Sequence, residues 1–239
     1  MNEPASGYRR VAYFGGSFDP PHLGHLAVAR AARDALELDA VLFAPVGAQP
    51  LKPQGSTASF EDRVAMTRLA IAGEPGCTLS LADAPRSSGE PNYTLETLER
   101  LRGELPAGCT LYCLMGADSF FGLRRWHRAA EIPFAAPLIV ASRPGQPLEG
   151  LREALPEGLN LEPTGSWIRS GTEVCVYAVV NPAGDRAPFY LLPGLDVEIS
   201  ASEIRAQGHA AGQGETAREE LLPGAVAAYV RDHGLYRQG

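Results

Sequence analysis

Two histidines, His22 and His25, follow a pair of glycines in the stretch GGSFDPPHLGHL, Gly15 to Leu26. Gly15 and Gly16 let the backbone approach a ligand closely, because no side chain stands in the way. A helix that starts after Asp19-Pro20-Pro21 turns its unpaired N–H groups and positive dipole end toward the same place, and these attract phosphate. On the first turn of that helix the two imidazoles point the same way. Gly24 between them leaves room for a base or sugar. The chemistry is that of a nucleotide phosphate site. A metal site is the weaker reading, since zinc takes three or four ligands. The other histidines, His127, His209 and His233, are scattered, with no Cys pair beside them.

The elements that position this stretch are legible around it. RRVAYF reads as a short buried strand and LAVARAARDAL as a helix, so the motif occupies the first strand-to-helix turn. Ala40 to Pro45 reads as a second strand, followed by a Gly-, Pro- and Ser-rich loop from Gly47 to Ser59 that carries Lys52. Phe60 to Ala72 follows as a helix, with Val64, Leu69 and Ile71 among its apolar residues. Cys77 to Leu81 is a third strand and Arg86 to Pro91 a polar loop. Thr94 is expected to cap a helix with Leu95, Leu98 and Leu101 on one face. Thr110 to Met115 is a central strand running into a turn and helix N-cap at Gly116-Ala117-Asp118-Ser119, and Pro137 to Ser142 is a fifth strand before Arg143-Pro144-Gly145. This alternation predicts an α/β fold, a Rossmann-like doubly wound parallel sheet with helices on both faces. Such sheets bind ligands beyond the carboxyl ends of their strands. The stretch Gly15–His25, Lys52, Asp118 and Arg143 all follow strands at that edge and are expected to converge.

Beyond residue 150 the pattern changes. Glu173 to Val180 and Phe189 to Leu192 read as strands around an Asn181–Gly184 turn, which predicts a hairpin or flap insertion within 150–196. Residues 199–239 form a small C-terminal helical part. Ser200 and Glu203 make a capping-box pattern, and Ser200, Ser202 and Arg205 there suit a second phosphate-holding helix start, with Arg205 as a clamp. Pro223 opens the last helix, Ala225 to His233, and Gly234 stops it with Leu235 folding back. His233 falls in the last turn, where it faces the helix dipole.

Composition narrows the function. The 239 residues suit one α/β domain with a sizeable core. Lys+Arg of 21 against Asp+Glu of 28 gives a net charge of −7, which disfavours nucleic acid and anionic membranes as partners. Phosphate binding must then come from a local cluster. The start MNEPASGYRR lacks the apolar core of a secretory signal, and no apolar run is long enough to span a bilayer. The four cysteines form no Cys-x-x-Cys pair, so buried free thiols in a reducing, cytoplasmic setting are expected.

Taken together, GGSFDPPHLGH, Pro50-Leu51-Lys52, Tyr93-Thr94, Gly116-Ala117-Asp118-Ser119, Trp126, Arg143-Pro144-Gly145, ISASEIR and the Val226 to Tyr236 tail resemble the bacterial nicotinate-nucleotide adenylyltransferase family, within the nucleotidyltransferases that carry a His-x-Gly-His loop. The matches run in that family's order along almost the whole chain. Two places depart from its pattern: Leu51 stands where His is usual, and Ala201-Ser202 where Ser and Thr are usual.

The resemblance implies adenylyl transfer from ATP to nicotinate mononucleotide, giving nicotinate adenine dinucleotide and pyrophosphate in NAD synthesis. Mg²⁺ would be held mainly by the ATP phosphates rather than by a protein carboxylate. It implies His22, His25, Lys52 and Arg205 as catalytic residues. Gly15, Gly16, Ser17, Phe18, His25, Gly116, Asp118, Ser200, Ser202 and Arg205 would contact ATP. Ser17, Lys52, Tyr93, Thr94, Trp126, His127 and Arg143 would contact the mononucleotide, with Trp126 stacking on the pyridine ring. Backbone N–H groups near Thr94 and His127 would receive the nicotinate carboxylate. Two other readings stay open: transfer of an adenylyl or cytidylyl group to a different phosphate acceptor such as phosphopantetheine, and a non-catalytic nucleotide-binding module. A homo-oligomer is compatible with all three.

Overall fold

The computed structural model describes residues 7–51, 55–142, 148–195, 201, 204–205 and 219–236. Lys52, Arg143, Ser200, Ser202 and most of the expected Ile199–Arg205 helix lie outside the described residues. Among the described residues, no helix is long and apolar enough to cross a membrane.

Strands β1 (Arg10–Gly16), β2 (Ala40–Pro45), β3 (Cys77–Leu79), β4 (Thr110–Gly116), β5 (Leu138–Ala141), β6 (Asn160–Arg169), β7 (Thr172–Val180) and β8 (Arg186–Leu192) form one sheet in the order β3-β2-β1-β4-β5-β8-β7-β6. The first six of that order run parallel, and β7 and β6 continue the sheet antiparallel. The helices between strands are α1 (Leu23–Leu36), α2 (Phe60–Ile71), α3 (Thr94–Glu104), α4 (Ala117–Phe121), α5 (Ile132–Ala135) and α6 (Leu148–Ala154), with α7 (Gly224–Asp232) after the last strand. The fold class expected from the alternation is the one found.

Each strand sends alternate side chains to opposite faces, and both faces are covered. Val11 and Tyr13 join one apolar cluster with Leu98, Phe120 and Val140. Ala12 and Phe14 join another with Ala29, Met66 and Val226. The alanines of α1 let it lie close on the sheet: Ala29, Ala32 and Ala35 are fully buried.

The strand order reverses between β1 and β4, so the crevice of this sheet opens where those two strands end. Gly16 closes β1 ahead of the loop that leads to α1, and Gly116 closes β4 at the cap position of α4.

Three expectations change. Thr94 is the first residue of α3, not its cap; Tyr93 holds the extended cap position and offers no side-chain bond. In α2 the buried face is Arg63, Met66, Thr67, Ala70 and Ile71, while Leu69 is 36% exposed. On that buried face the Arg63 guanidinium donates to the Ser17 carbonyl at 2.7 Å. Of the four cysteines, all free, only Cys113 is buried. The strands expected over Glu173–Val180 and Phe189–Leu192 are present as β7 and β8, joined by the turn at Asn181–Gly184, whereas β6 had no sequence signal. In the tail, Leu235 folds back through its N–H to the Val230 carbonyl at 3.0 Å, and the His233 ring stacks on Tyr229 at 3.8 Å.

Candidate active site

Two clefts open at the carboxyl ends of β1 and β4 and share one wall. Gly15, Gly16, Ser17, Asp118 and Ser119 line both. The first cleft, about 270 Å³, is completed by Phe18, Asp19, His22, Gly24, His25, Gly116 and Arg205, among others. The second, about 330 Å³, is completed by Gln49, Tyr93, Thr94, Arg125, Trp126 and His127, among others.

The glycines of the shared wall stand close to the aromatic rings around them. A Cβ at Gly16 would fall 3.2 Å from the Phe18 ring. Phe18 takes a left-handed backbone conformation, φ 47°, which turns its ring down into the core. That ring packs against Phe14, Phe43 and His25 at centroid distances of 5.6, 5.4 and 4.9 Å. Phe18 therefore holds the loop from beneath, and its side chain is a core group rather than a surface offered to a ligand.

Asp19 is the hub of the turn. Its carboxylate is 3% exposed and accepts the Thr57 and Ala58 N–H groups at 2.7 and 3.1 Å. The Tyr236 hydroxyl adds a third bond at 2.7 Å, and the Asp19 backbone carbonyl accepts from Arg205 at 2.6 Å. Arg205, 186 residues from Asp19 in the chain, thus stands on the rim of the cleft that His22 and His25 line. His22, His25 and Arg205 thus line one space.

The imidazoles lie against each other, with ring centroids 3.7 Å apart and planes tilted by 31°. The His22 backbone N–H donates to His25 Nδ1 at 3.2 Å. That bond makes Nδ1 of His25 the acceptor, so the neutral ring carries its proton on Nε2. Burial pulls His22 down to about 4. Burial also lowers His25, and the neighbouring His22 lowers it further. Both rings are therefore neutral at pH 7 and act as single N–H donors. Nδ1 of His22 is buried without a protein partner.

The second cleft has an aromatic wall. Tyr93 and His127 pack at 4.5 Å, and Trp126 lies beside them, half-buried. Its floor is polar but hidden: Asp83 and Asn92 are 2% and 7% exposed. Asn92 accepts the Ala48 N–H at 3.1 Å and donates to the Ala84 carbonyl at 3.0 Å. Where the clefts join, the Gln49 side-chain amide donates to Ser17 Oγ at 2.6 Å.

The described residues that the motifs single out are thus brought into two adjoining spaces. Asp19, Gln49, Arg63, Asp83, Asn92 and Tyr236 were not foreseen as site residues. Of these, Asp19 carried a signal by its place inside the Gly15–Leu26 stretch, and Tyr236 by closing the Val226 to Tyr236 tail.

A family model described as cytidylyltransferase-like matches residues 13–207. A curated relative from Stenotrophomonas maltophilia, a "Probable nicotinate-nucleotide adenylyltransferase", is 44% identical over 94% of this chain and 96% of its own length. A relative of the same name from Gloeobacter violaceus is 38% identical over 95% of this chain and 96% of its own. Among solved structures, a Plasmodium falciparum nicotinic acid mononucleotide adenylyltransferase complexed with NaAD superposes with a TM-score of 0.68 at 16% identity, over 96% of this chain and 98% of that one. That last likeness speaks for the fold alone. With relatives matched end to end, the chain belongs to the nicotinate-nucleotide adenylyltransferase family, among proteins of cytidylyltransferase-like fold.

Proposed function

We propose that this protein transfers the adenylyl group of ATP to nicotinate mononucleotide, giving nicotinate adenine dinucleotide and pyrophosphate. The observation that carries the reading is the shared wall: two clefts of different character meet at Gly15–Ser17 and Asp118–Ser119. A nucleotide triphosphate in the first cleft and an aromatic mononucleotide in the second would present their phosphates to each other there. The relatives named above carry this activity in their names.

In the reaction, an oxygen of the mononucleotide 5′-phosphate attacks the α-phosphorus of ATP, and the bond to the bridging oxygen of pyrophosphate breaks. The attacking oxygen is already ionised, so no general base is needed. The chain's task is to hold two anions together and to stabilise the crowded transition state. The neutral Nε2–H of His25 and the ring of His22, which lines the same cleft, suit the triphosphate, and Arg205 and Lys52 suit the leaving and attacking phosphates. Ser200 and Ser202 would add donors to the triphosphate, Gly116 and Asp118 would hold the ATP ribose, and Arg143 would sit at the mononucleotide. Trp126 stacks on the pyridine ring. The backbone N–H groups opening α3 and those near His127 favour a carboxylate over a carboxamide, whose NH₂ would face them unpaired.

Mg²⁺ belongs to this reading as an ion carried by the ATP phosphates. Imidazole and backbone donors fit a polyphosphate that brings its own cation. Among the described residues, no group of three or more His, Cys, Asp or Glu is placed to hold a metal.

The test is pyrophosphate release from ATP and Mg²⁺ with nicotinate mononucleotide, nicotinamide mononucleotide or phosphopantetheine. Release fastest with the first supports the reading. Release only with phosphopantetheine, or with none of the three, overturns it.

A further inference from the structure

One buried carboxylate beneath the second cleft has no part in the chemistry above. Asp83 lies past β3, and its Oδ1 accepts the Thr97 hydroxyl at 2.5 Å. Its other oxygen accepts the Tyr13 hydroxyl, and its backbone carbonyl accepts the Gly47 N–H at 2.7 Å. Tyr13 belongs to β1, Thr97 to α3, and Gly47 to the segment leaving β2. Asp83 therefore joins three walls of the cleft. The packing is tight: a Cβ at Gly47 would sit 2.5 Å from the Pro85 nitrogen, two residues beyond Asp83.

Burying a carboxylate is costly, and an apolar side chain could fill the same space. Burial pushes the Asp83 carboxyl and the Tyr13 hydroxyl up. What the arrangement provides is aim. Thr97 sits one turn into α3, and Tyr93 and Thr94, at the start of that helix, line the cleft beside Tyr13 and Asp83. Tyr93 gives this helix no side-chain cap, so the first N–H groups of α3 are not held by their own cap residue. Their direction is set by whatever anchors the first turn. Two side-chain bonds anchor it: Thr97 to Asp83, and Thr94 to the Tyr13 hydroxyl that also bonds Asp83.

We propose that Asp83 is a positioning residue for acceptor selectivity: through Thr97 and Tyr13 it sets the angle at which the start of α3 meets the carboxylate of the acceptor ring. The proposal rests on the acceptor being nicotinate mononucleotide. Hydrogen bonds to a carboxylate weaken steeply as their angle departs from linear. Loss of aim therefore costs the acid more than the amide, which makes weaker use of the same donors.

The experiment uses the full chain and Asp83→Asn, Thr97→Val, Thr97→Ser and Tyr13→Phe. It measures kcat and KM for ATP, nicotinate mononucleotide and nicotinamide mononucleotide, with thermal unfolding of each variant. Asp83→Asn and Thr97→Val are expected to raise the KM for the acid on the order of tenfold, leaving the KM for ATP within about twofold. The ratio of acid to amide efficiency falls, and Thr97→Ser, which keeps the hydroxyl, restores it. An unchanged ratio overturns the proposal, as does equal weakening for ATP or Thr97→Ser behaving as Thr97→Val. If Asp83→Asn does not fold, the two Thr97 variants decide. A wild-type chain that releases pyrophosphate only with another acceptor overturns the functional reading itself, and this proposal with it. An intact wild type with indifferent variants overturns this proposal alone.

Discussion

The hydroxyl of Tyr236 stands 2.7 Å from the carboxylate of Asp19, a bond across 217 residues. Both groups are buried, and the tyrosine hydroxyl is pushed up by burial and by the Asp19 charge. The turn that carries the two imidazoles is therefore held from three sides: by Thr57 and Ala58 ahead of α2, by Tyr236 after α7, and by Arg205 on the backbone.

Tyr236→Phe removes one donor from this buried carboxylate while keeping the ring. A lost partner of that kind costs about 1–3 kcal/mol. Thermal unfolding should show the loss. Steady-state kinetics should show a KM for ATP raised several-fold, with the KM for the mononucleotide little changed. Parallel increases in both would mean that Tyr236 supports the fold without holding the turn.

His25→Ala is expected to lower kcat about a hundredfold or more, the scale of losing one donor aimed at a transition-state oxygen. The ring also packs on Phe18, 4.9 Å away, so some stability is lost with it. His25→Asn keeps a donor and part of the packing, and should recover a share of the rate. Near-normal turnover in His25→Ala would remove the imidazole from the reaction.

Trp126→Ala should raise the KM for the mononucleotide by tenfold or more and leave that for ATP unchanged, because Trp126 lines only the second cleft. Isothermal titration with each substrate separately is the direct check. Equal weakening for both would make Trp126 a support of the shared wall.

Acid should destabilise the chain through the same two imidazoles. Burial lowers the folded-state value of His22 to about 4 and lowers His25 too, whereas an exposed imidazole titrates near about 6.5. Between those values the unfolded chain binds more protons than the folded one. The His22 contribution is therefore complete above pH ~6.5 and is lost as pH falls toward ~4, and that of His25 is lost in the same direction. Unfolding midpoints across that range should drop less steeply for His22→Asn than for the wild type. An identical slope would assign the acid sensitivity to other groups.

What the sequence made legible was what is contiguous in it. Gly15–Leu26 holds a turn, a helix start and two aligned imidazoles within one stretch, and β2 shows as an apolar run with clear ends. The β6 strand could not be seen in NLEPTGSWIR. Pro163, Gly165 and the charged residues break any alternation, and only Leu161 is buried. Its order comes from pairing with β7, which is a tertiary fact. Arg63, Asp83 and Asn92 were hidden for a related reason. A polar residue in a loop or helix looks solvated until its partners, far away in the chain, are known.

The common wall between the clefts also bears on how a finished reaction ends. A dinucleotide whose halves occupy both spaces surrenders its translational freedom once, while two separate substrates each do so. On the proposed reading, a joined ligand of that shape is expected to be held longer than either fragment, so that product release limits turnover and the product competes against both substrates.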